Sequence, residues 1–330
     1  MRITHLALFA MLAVGGTALA QAAPQGPRLG FPVACEIGRT CEVQNYVDRD
    51  PGPGARDYRC ATRTYQGHSG VDIRLLDLPA QKRGVEVLAA APGRVSRLRN
   101  DVADVSVRAA GVASVAGREC GNGLVIDHGG GWETQYCHMA QGSIRVKAGD
   151  VVTAGQPLGR VGLSGQTEYP HLHMTVRHQG RTVDPFAPNP ASAASCTAQQ
   201  PMWTPAAAKA LTYKAGAILN AGFAGAALTL DQIESGTMTR LAAGAPYMVA
   251  YMRAVGLERG DELEVILTAP GGSQLAAGKS KPMDGPKAHW FQMVGKRTPP
   301  GGWPSGAYTA ETRVWRGGKV VLTRRETTRM

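Results

Sequence analysis

From residue 68 onward, short runs of apolar and β-branched side chains are divided by turn residues. Side chains on a strand alternate faces, so runs of this length between turns predict a sheet. The runs fall at 71–75, 85–89, 93–99, 124–128, 134–138, 144–146, 157–161 and 172–176. Residues 100–119 interrupt the series, and a connection of that length reads as the wall or lid of a site, or as a plain surface insertion. A Pro/Ala/Ser-rich boundary covers 187–206. Beyond it, further runs at 247–255, 263–267, 290–294, 308–315 and 320–323 are separated by turns such as Pro270-Gly271-Gly272 and Pro299-Pro300-Gly301-Gly302. These predict an immunoglobulin-like β-sandwich. The expected fold class is all-β: an antiparallel β-sheet domain over 67–190, a linker over 191–206 and the sandwich over 207–330.

Composition agrees, with 42 glycines and 21 prolines in 330 residues and only 6% aromatic side chains, as a turn-rich chain of about two domains would have. The N-terminus adds a destination. Arg2, the apolar stretch from Leu6 to Val14 and the small residues Ala18-Leu19-Ala20 read as a secretory signal peptide over 1–20. No cysteine follows to accept a lipid, and no later stretch has the length of a transmembrane segment, so the mature protein is expected to be exported, periplasmic or secreted. Cys35, Cys41, Cys60, Cys120, Cys137 and Cys196 fit that compartment as disulfides. Folding the chain at Gly129-Gly130-Gly131 sets Cys120 opposite Cys137, which predicts one bridge; the other four cysteines allow three pairings. Three cysteines lie in or beside a turn-rich lead-in over 21–66.

The formal charge is +11, and residues 205–330 hold 16 Lys and Arg against 9 Asp and Glu, a net of +7. A basic exported module fits anionic wall material or a membrane surface, or is simply a solvated face. Nucleic acid is disfavoured by export and by the lack of a recognisable binding motif.

The chemistry-bearing stretch is Pro170-His171-Leu172-His173-Met174-Thr175-Val176. Two histidines one residue apart on a strand share a face. Any one histidine alone reads as an ordinary buried or surface residue. Together with Gly67-His68-Ser69-Gly70-Val71-Asp72 and Tyr136-Cys137-His138 they form a set. A catalytic zinc takes three protein ligands and keeps one open position, which His68, Asp72 and His173 would supply. His171 would then point into the groove beside the metal and His138 would reach it from a neighbouring strand, as a pair for proton transfer and oxyanion stabilisation.

These segments resemble the LytM/lysostaphin-type zinc metallopeptidases, which cleave peptide cross-bridges of peptidoglycan. The likeness runs from about Gly67 to Phe186 and includes Ala91-Pro92-Gly93-Arg94-Val95, Val125-Ile126-Asp127-His128-Gly129, Lys147-Ala148-Gly149-Asp150, Ala154-Gly155-Gln156-Pro157-Leu158-Gly159, Ser164-Gly165 and Val183-Asp184-Pro185. The resemblance implies a LytM-type sheet with a groove for an extended peptide and one Zn2+ per chain. It implies His68, Asp72 and His173 as ligands and His138 and His171 as the catalytic pair. The expected activity is an exported endopeptidase acting on peptidoglycan stem peptides or cross-links. Alternatives are a non-catalytic LytM-like regulator or wall-binding protein, and a secreted bacteriolytic protease. His128 is assigned a structural role and His178 an exposed one; His289 has no ligand-like partner, so no chemistry is expected in the sandwich. The lead-in is a possible plug for the groove, and Cys137 replaces the small residue usual between the tyrosine and the histidine.

Overall fold

The computed structural model describes residues 26–189, 196 and 198–330; the expected signal peptide lies outside the described residues. The first strands are β1 (Cys41–Asn45), β2 (Val71–Leu75), β3 (Glu86–Leu88), β4 (Gly93–Arg99), β5 (Asn122–Asp127), β6 (Trp132–Met139), β7 (Val151–Val152), β8 (Pro157–Arg160), β9 (His171–His178) and β10 (Arg181–Val183). Eight of them build one sheet in the order β1-β2-β9-β6-β5-β4-β7, with β10 also paired to β9, while β3 and β8 pair separately. The pairs are antiparallel, and the register sets Asp72 opposite His173 and Arg74 opposite His171 on β2 and β9, with Cys137 of β6 opposite His173 from the other side.

Alternation explains the two faces of this sheet. Val71, Ile73 and Leu75 of β2, with Leu172, Met174 and Val176 of β9, enter one core with Leu124, Ile126 and Tyr136. Asp72, Arg74, His171 and His173 are left on the opposite face. Each fully buried apolar side chain of the core contributes about 1.5–3 kcal/mol, so a one-residue slip that turned the histidines inward would be strongly opposed. The β5–β6 hairpin turns at Gly129, Gly130 and Gly131, whose φ angles of +81°, +59° and +79° favour glycine.

Several strands of this domain differ from the sequence expectation, among them the short β7 and β10, which lie outside the expected runs. β1 lies within the stretch read as lead-in; all five of its residues are buried although Glu42, Gln44 and Asn45 are polar, so its apolar pattern is masked. The run at 144–146 forms no strand. Its Arg145 amide donates to the Leu158 carbonyl at 2.9 Å, but a turn at Lys147 to Asp150 closes it, and β7 takes the edge beside β4 instead.

The helices are short: α1 (Leu78–Arg83), α2 (Val107–Ala110), α3 (Pro205–Ala210) and α4 (Leu230–Ser235). Trp203, at the end of the Pro/Ala/Ser-rich boundary, and Ala207 and Leu211 after it still pack into the first core. The remaining strands are β11 (Ala217–Ala224), β12 (Tyr247–Leu257), β13 (Glu262–Thr268), β14 (Gln274–Lys279), β15 (Lys287–Arg297), β16 (Ala307–Arg316) and β17 (Lys319–Arg329). They form two sheets, β11-β12-β15 and β14-β13-β16-β17. Met248, Ala250 and Met252 of the first share a core with Leu263, Val265, Leu267, Tyr308, Ala310 and Val314 of the second, which makes a β-sandwich. The molecule is all-β, as its patterning implies. β11 and β14, rich in alanine and glycine, carry little strand signal of their own.

Disulfides join Cys35 to Cys41, Cys60 to Cys196 and Cys120 to Cys137, leaving no free cysteine. The hairpin argument for Cys120–Cys137 holds, and the open pairing of the other four is resolved.

Candidate active site

His68, Asp72 and His173 each turn one ligand atom toward a common point, and these atoms lie within 4.8 Å of one another. His68 Nε2 is 3.1 Å from Asp72 Oδ2 and 3.2 Å from His173 Nδ1, which in turn is 2.8 Å from Asp72 Oδ1. Zinc bonds of about 2.0–2.1 Å in tetrahedral geometry place ligand atoms about 3.3 Å apart; the 3.2 Å between His68 Nε2 and His173 Nδ1 matches this, and one Asp72 oxygen lies within 4.8 Å of both. The proton positions fit too. His68 Nδ1 is 2.7 Å from the Tyr46 carbonyl; a carbonyl only accepts, so Nδ1 carries the proton and Nε2 keeps its lone pair for a metal. His173 is held the other way round, its Nε2 3.1 Å from Thr175 Oγ1 and its Nδ1 facing Asp72. Asn45 Nδ2 donates to Asp72 Oδ2 at 2.9 Å. Such outer partners fix the orientation and tautomer of a metal ligand. Gly70 leaves room for the arrangement: a Cβ there would stand 2.6 Å from His173 Nε2.

His138 and His171 lie beside this set, their ring centroids 4.7 Å apart. His138 Nδ1 donates to the Ser164 carbonyl at 2.8 Å. His171 Nδ1 donates to the Tyr169 carbonyl at 3.0 Å and lies 3.1 Å from Thr167 Oγ1. In both rings Nε2 is therefore the free nitrogen, and that of His171 is 3.4 Å from Asp72 Oδ1. His138 adopts φ +62°, a conformation uncommon for a side chain of its size, at the point where its amide donates to the Cys120 carbonyl.

The electrostatics follow from burial and crowding. Burial works against charge on Asp72, but the surrounding imidazoles of His68, His171 and His173 outweigh it and hold the carboxyl well below its ordinary range. Burial, with the neighbouring His171 and His173, holds His138 well below the usual imidazole range, and burial also lowers His173. For His68 burial pulls down while Asp72 pulls up, and Asp72 prevails.

A cavity of about 410 Å³ opens over the set, lined by His138 and His173 with Tyr65, Glu119, Gln166 and Arg177 among others. Tyr65 is the one lining residue drawn from the described lead-in. Glu119 comes from the long 100–119 segment, which thus forms part of the wall. His128 is structural, Nδ1 to the Pro92 carbonyl at 2.7 Å and Nε2 to Thr134 at 2.8 Å. His178 is half-buried and stacks on Trp132.

Sequence reasoning did not single out Asn45, the Tyr46 carbonyl, Arg74, Thr167, Tyr169 or Thr175. The period of two was a signal for Arg74 and Thr175, each two residues from a candidate ligand on the same strand face. Asn45 and Tyr46 come from a separate segment and carried none. His289, read as lacking a ligand-like partner, lies with Nδ1 3.3 Å from Arg74 Nη1, so the sandwich reaches the margin of the site without adding a metal ligand.

A profile of peptidase family M23 matches residues 66–185. The peptidoglycan DD-endopeptidase ShyA of Vibrio cholerae is 39% identical over 69 residues, covering 21% of this chain and 16% of that protein. The DD-carboxypeptidase/endopeptidase Mpg of Neisseria meningitidis is 35% identical over 135 residues, covering 39% of this chain and 28% of that protein. The match thus spans less than a third of the length of either relative. Among solved structures, the catalytic domain of the prophage-encoded M23 protein EnpA from Enterococcus faecalis aligns at 23% identity with a TM-score of 0.32, covering 46% of this chain and 93% of that one. Over residues 66–185, therefore, the chain matches peptidase family M23, and relatives that share this stretch include peptidoglycan DD-endopeptidases.

Proposed function

We propose that the protein is an exported zinc metallo-endopeptidase that hydrolyses peptide bonds in peptidoglycan stem peptides or cross-links. The observation that carries this reading is the convergence of His68, its proton held on Nδ1 by the Tyr46 carbonyl, with Asp72 and His173, beside two further imidazoles whose Nε2 atoms are free. Bound there, zinc supplies Lewis acidity toward a peptide carbonyl and acidifies a water. The chain's own residues do the rest. His138, kept neutral by burial and its imidazole neighbours, and His171, oriented by Tyr169 and Thr167, act as the pair that takes a proton from water, returns it to the leaving amine and steadies the oxyanion. The cavity walls from Tyr65 to Arg177 admit an extended peptide. Peptidoglycan as the substrate draws on the names of the relatives ShyA and Mpg. Export draws on the N-terminal sequence and on six cysteines all held in disulfides.

The test is digestion of purified sacculi, casein and a glycine-rich peptide by the zinc-loaded protein. Cleavage of sacculi at one kind of cross-link is expected. Cleavage of casein with intact sacculi would overturn the substrate, and bound zinc with no hydrolysis of any of them would overturn the enzyme.

A further inference from the structure

The sheet face that carries Asp72, His171 and His173 extends beyond them. Arg74 is fully buried, stands opposite His171 in the ladder and shares its face. A buried guanidinium is tolerated only when paired. Its Nη1 donates to Gln44 Oε1 at 2.8 Å and lies 3.3 Å from His289 Nδ1. Its Nη2 donates to Glu234 Oε2. Gln44 comes from β1, but Glu234 belongs to α4 and His289 to β15, both in the C-terminal half. The same Glu234 oxygen accepts from Arg253 Nη1 at 2.6 Å, and Arg253, also fully buried, donates to Asn220 Oδ1 at 2.8 Å and to the Leu76 carbonyl. One carboxylate therefore joins two buried guanidiniums, one from each half of the molecule.

The guanidinium of Arg74 lies 3.9 Å from the centre of the Tyr169 ring, a cation–π contact strengthened by exclusion of water. Gln44 Nε2 donates to the Tyr169 hydroxyl at 2.5 Å. The ring is thus held at its face and its tip. Pro170 restricts Tyr169 to extended backbone, and the carbonyl of Tyr169 accepts the Nδ1 proton of His171.

We propose that Arg74 and Tyr169 are positioning residues for His171, and that the C-terminal sandwich, through Glu234 and His289, holds them in place. The inference rests on the catalytic role assigned to His171 above. It makes the sandwich a component of the active site: without Glu234 the buried Arg74 loses its carboxylate and leaves the Tyr169 ring for water. The Tyr169 carbonyl and the imidazole bound to it then lose their alignment. Misplacement of a reacting group by about 1 Å costs up to about a hundredfold in rate.

The test uses the full, zinc-loaded chain with Glu234→Gln, Tyr169→Leu and Tyr169→Phe, and with Asp231→Asn as control, since Asp231 lies on the same helix and pairs with Arg108 across the halves, but this ion pair is exposed. Zinc content, kcat, KM and the imidazole Nδ1 proton resonance of His171, assigned by its loss in His171→Ala, are measured. Glu234→Gln and Tyr169→Leu are expected to keep zinc and KM, to lose about ten- to a hundredfold in kcat, and to shift or lose that resonance. Tyr169→Phe, which keeps the ring and the carbonyl, is expected to restore most of the activity, and the control to behave as wild type. Folded, zinc-loaded variants with wild-type kcat and an unmoved resonance would overturn the proposal, as would loss of zinc in either. An inactive wild type whose resonance still moves in the variants would overturn the enzymatic reading and support the positioning geometry.

Discussion

At the scale of single residues, the proposed function separates holding a metal from using it. His173→Ala and Asp72→Ala are expected to remove zinc and activity together, because each deletes one of three ligand atoms gathered within 4.8 Å. His171→Ala is expected to keep most zinc and lose turnover; full activity in that variant would contradict its role. The supporting shell gives finer tests. Thr175→Val removes the partner of His173 Nε2, and Gly70→Ala sets a methyl 2.6 Å from the same nitrogen and 2.7 Å from the Met174 carbonyl. Both should weaken zinc binding about ten- to a hundredfold, read by competition with a chelator, and wild-type affinity in both would deny the orientation described. His171 and His173 were legible because a period of two sets them on one face. Asn45 and Tyr46 were not, because they reach Asp72 and His68 from a polar strand and the segment after it.

At the scale of elements, β6 carries His138 into the site at its end, where φ is +62° and the amide bonds to the Cys120 carbonyl. The Cys120–Cys137 bridge, across 17 residues, ties that end to the start of the hairpin. Replacing both cysteines with alanine should cost about 3 kcal/mol of stability on the chain-entropy account. It should also lower kcat while leaving zinc in place, since none of the proposed ligands lies on β6. Thermal unfolding with zinc analysis checks this, and unchanged turnover in the folded variant would show that the bridge does not set His138. The hairpin was readable from its three glycines and the facing cysteines. β1, β11 and β14 were hidden by buried polar residues or by alanine and glycine, where tertiary pairing rather than local pattern makes the strand.

At the scale of the whole molecule, the two halves meet through buried charge, which no local pattern in the sequence reveals. His289 records that contact. Its pKa is pushed down to about 3, by burial first and then by Arg74, Arg253 and Arg108. An unfolded histidine titrates near 6.5, so below that pH the unfolded chain binds a proton that the folded chain refuses. The stability this residue contributes is present above about pH 6.5 and is lost as pH falls toward 3, by up to about 1.4 kcal/mol per pH unit. His289→Gln should flatten that part of the urea-unfolding profile between about pH 4 and 6; identical slopes in the two proteins would contradict the burial described. The central claim is tested most directly by measuring zinc content and the products of peptidoglycan digestion, by mass, for the wild type and His171→Ala. About one zinc per chain is expected in both proteins, with a specific cross-link cut only by the wild type. Wild type that binds zinc and leaves peptidoglycan intact, or a His171→Ala protein that cuts as well as wild type, would contradict it.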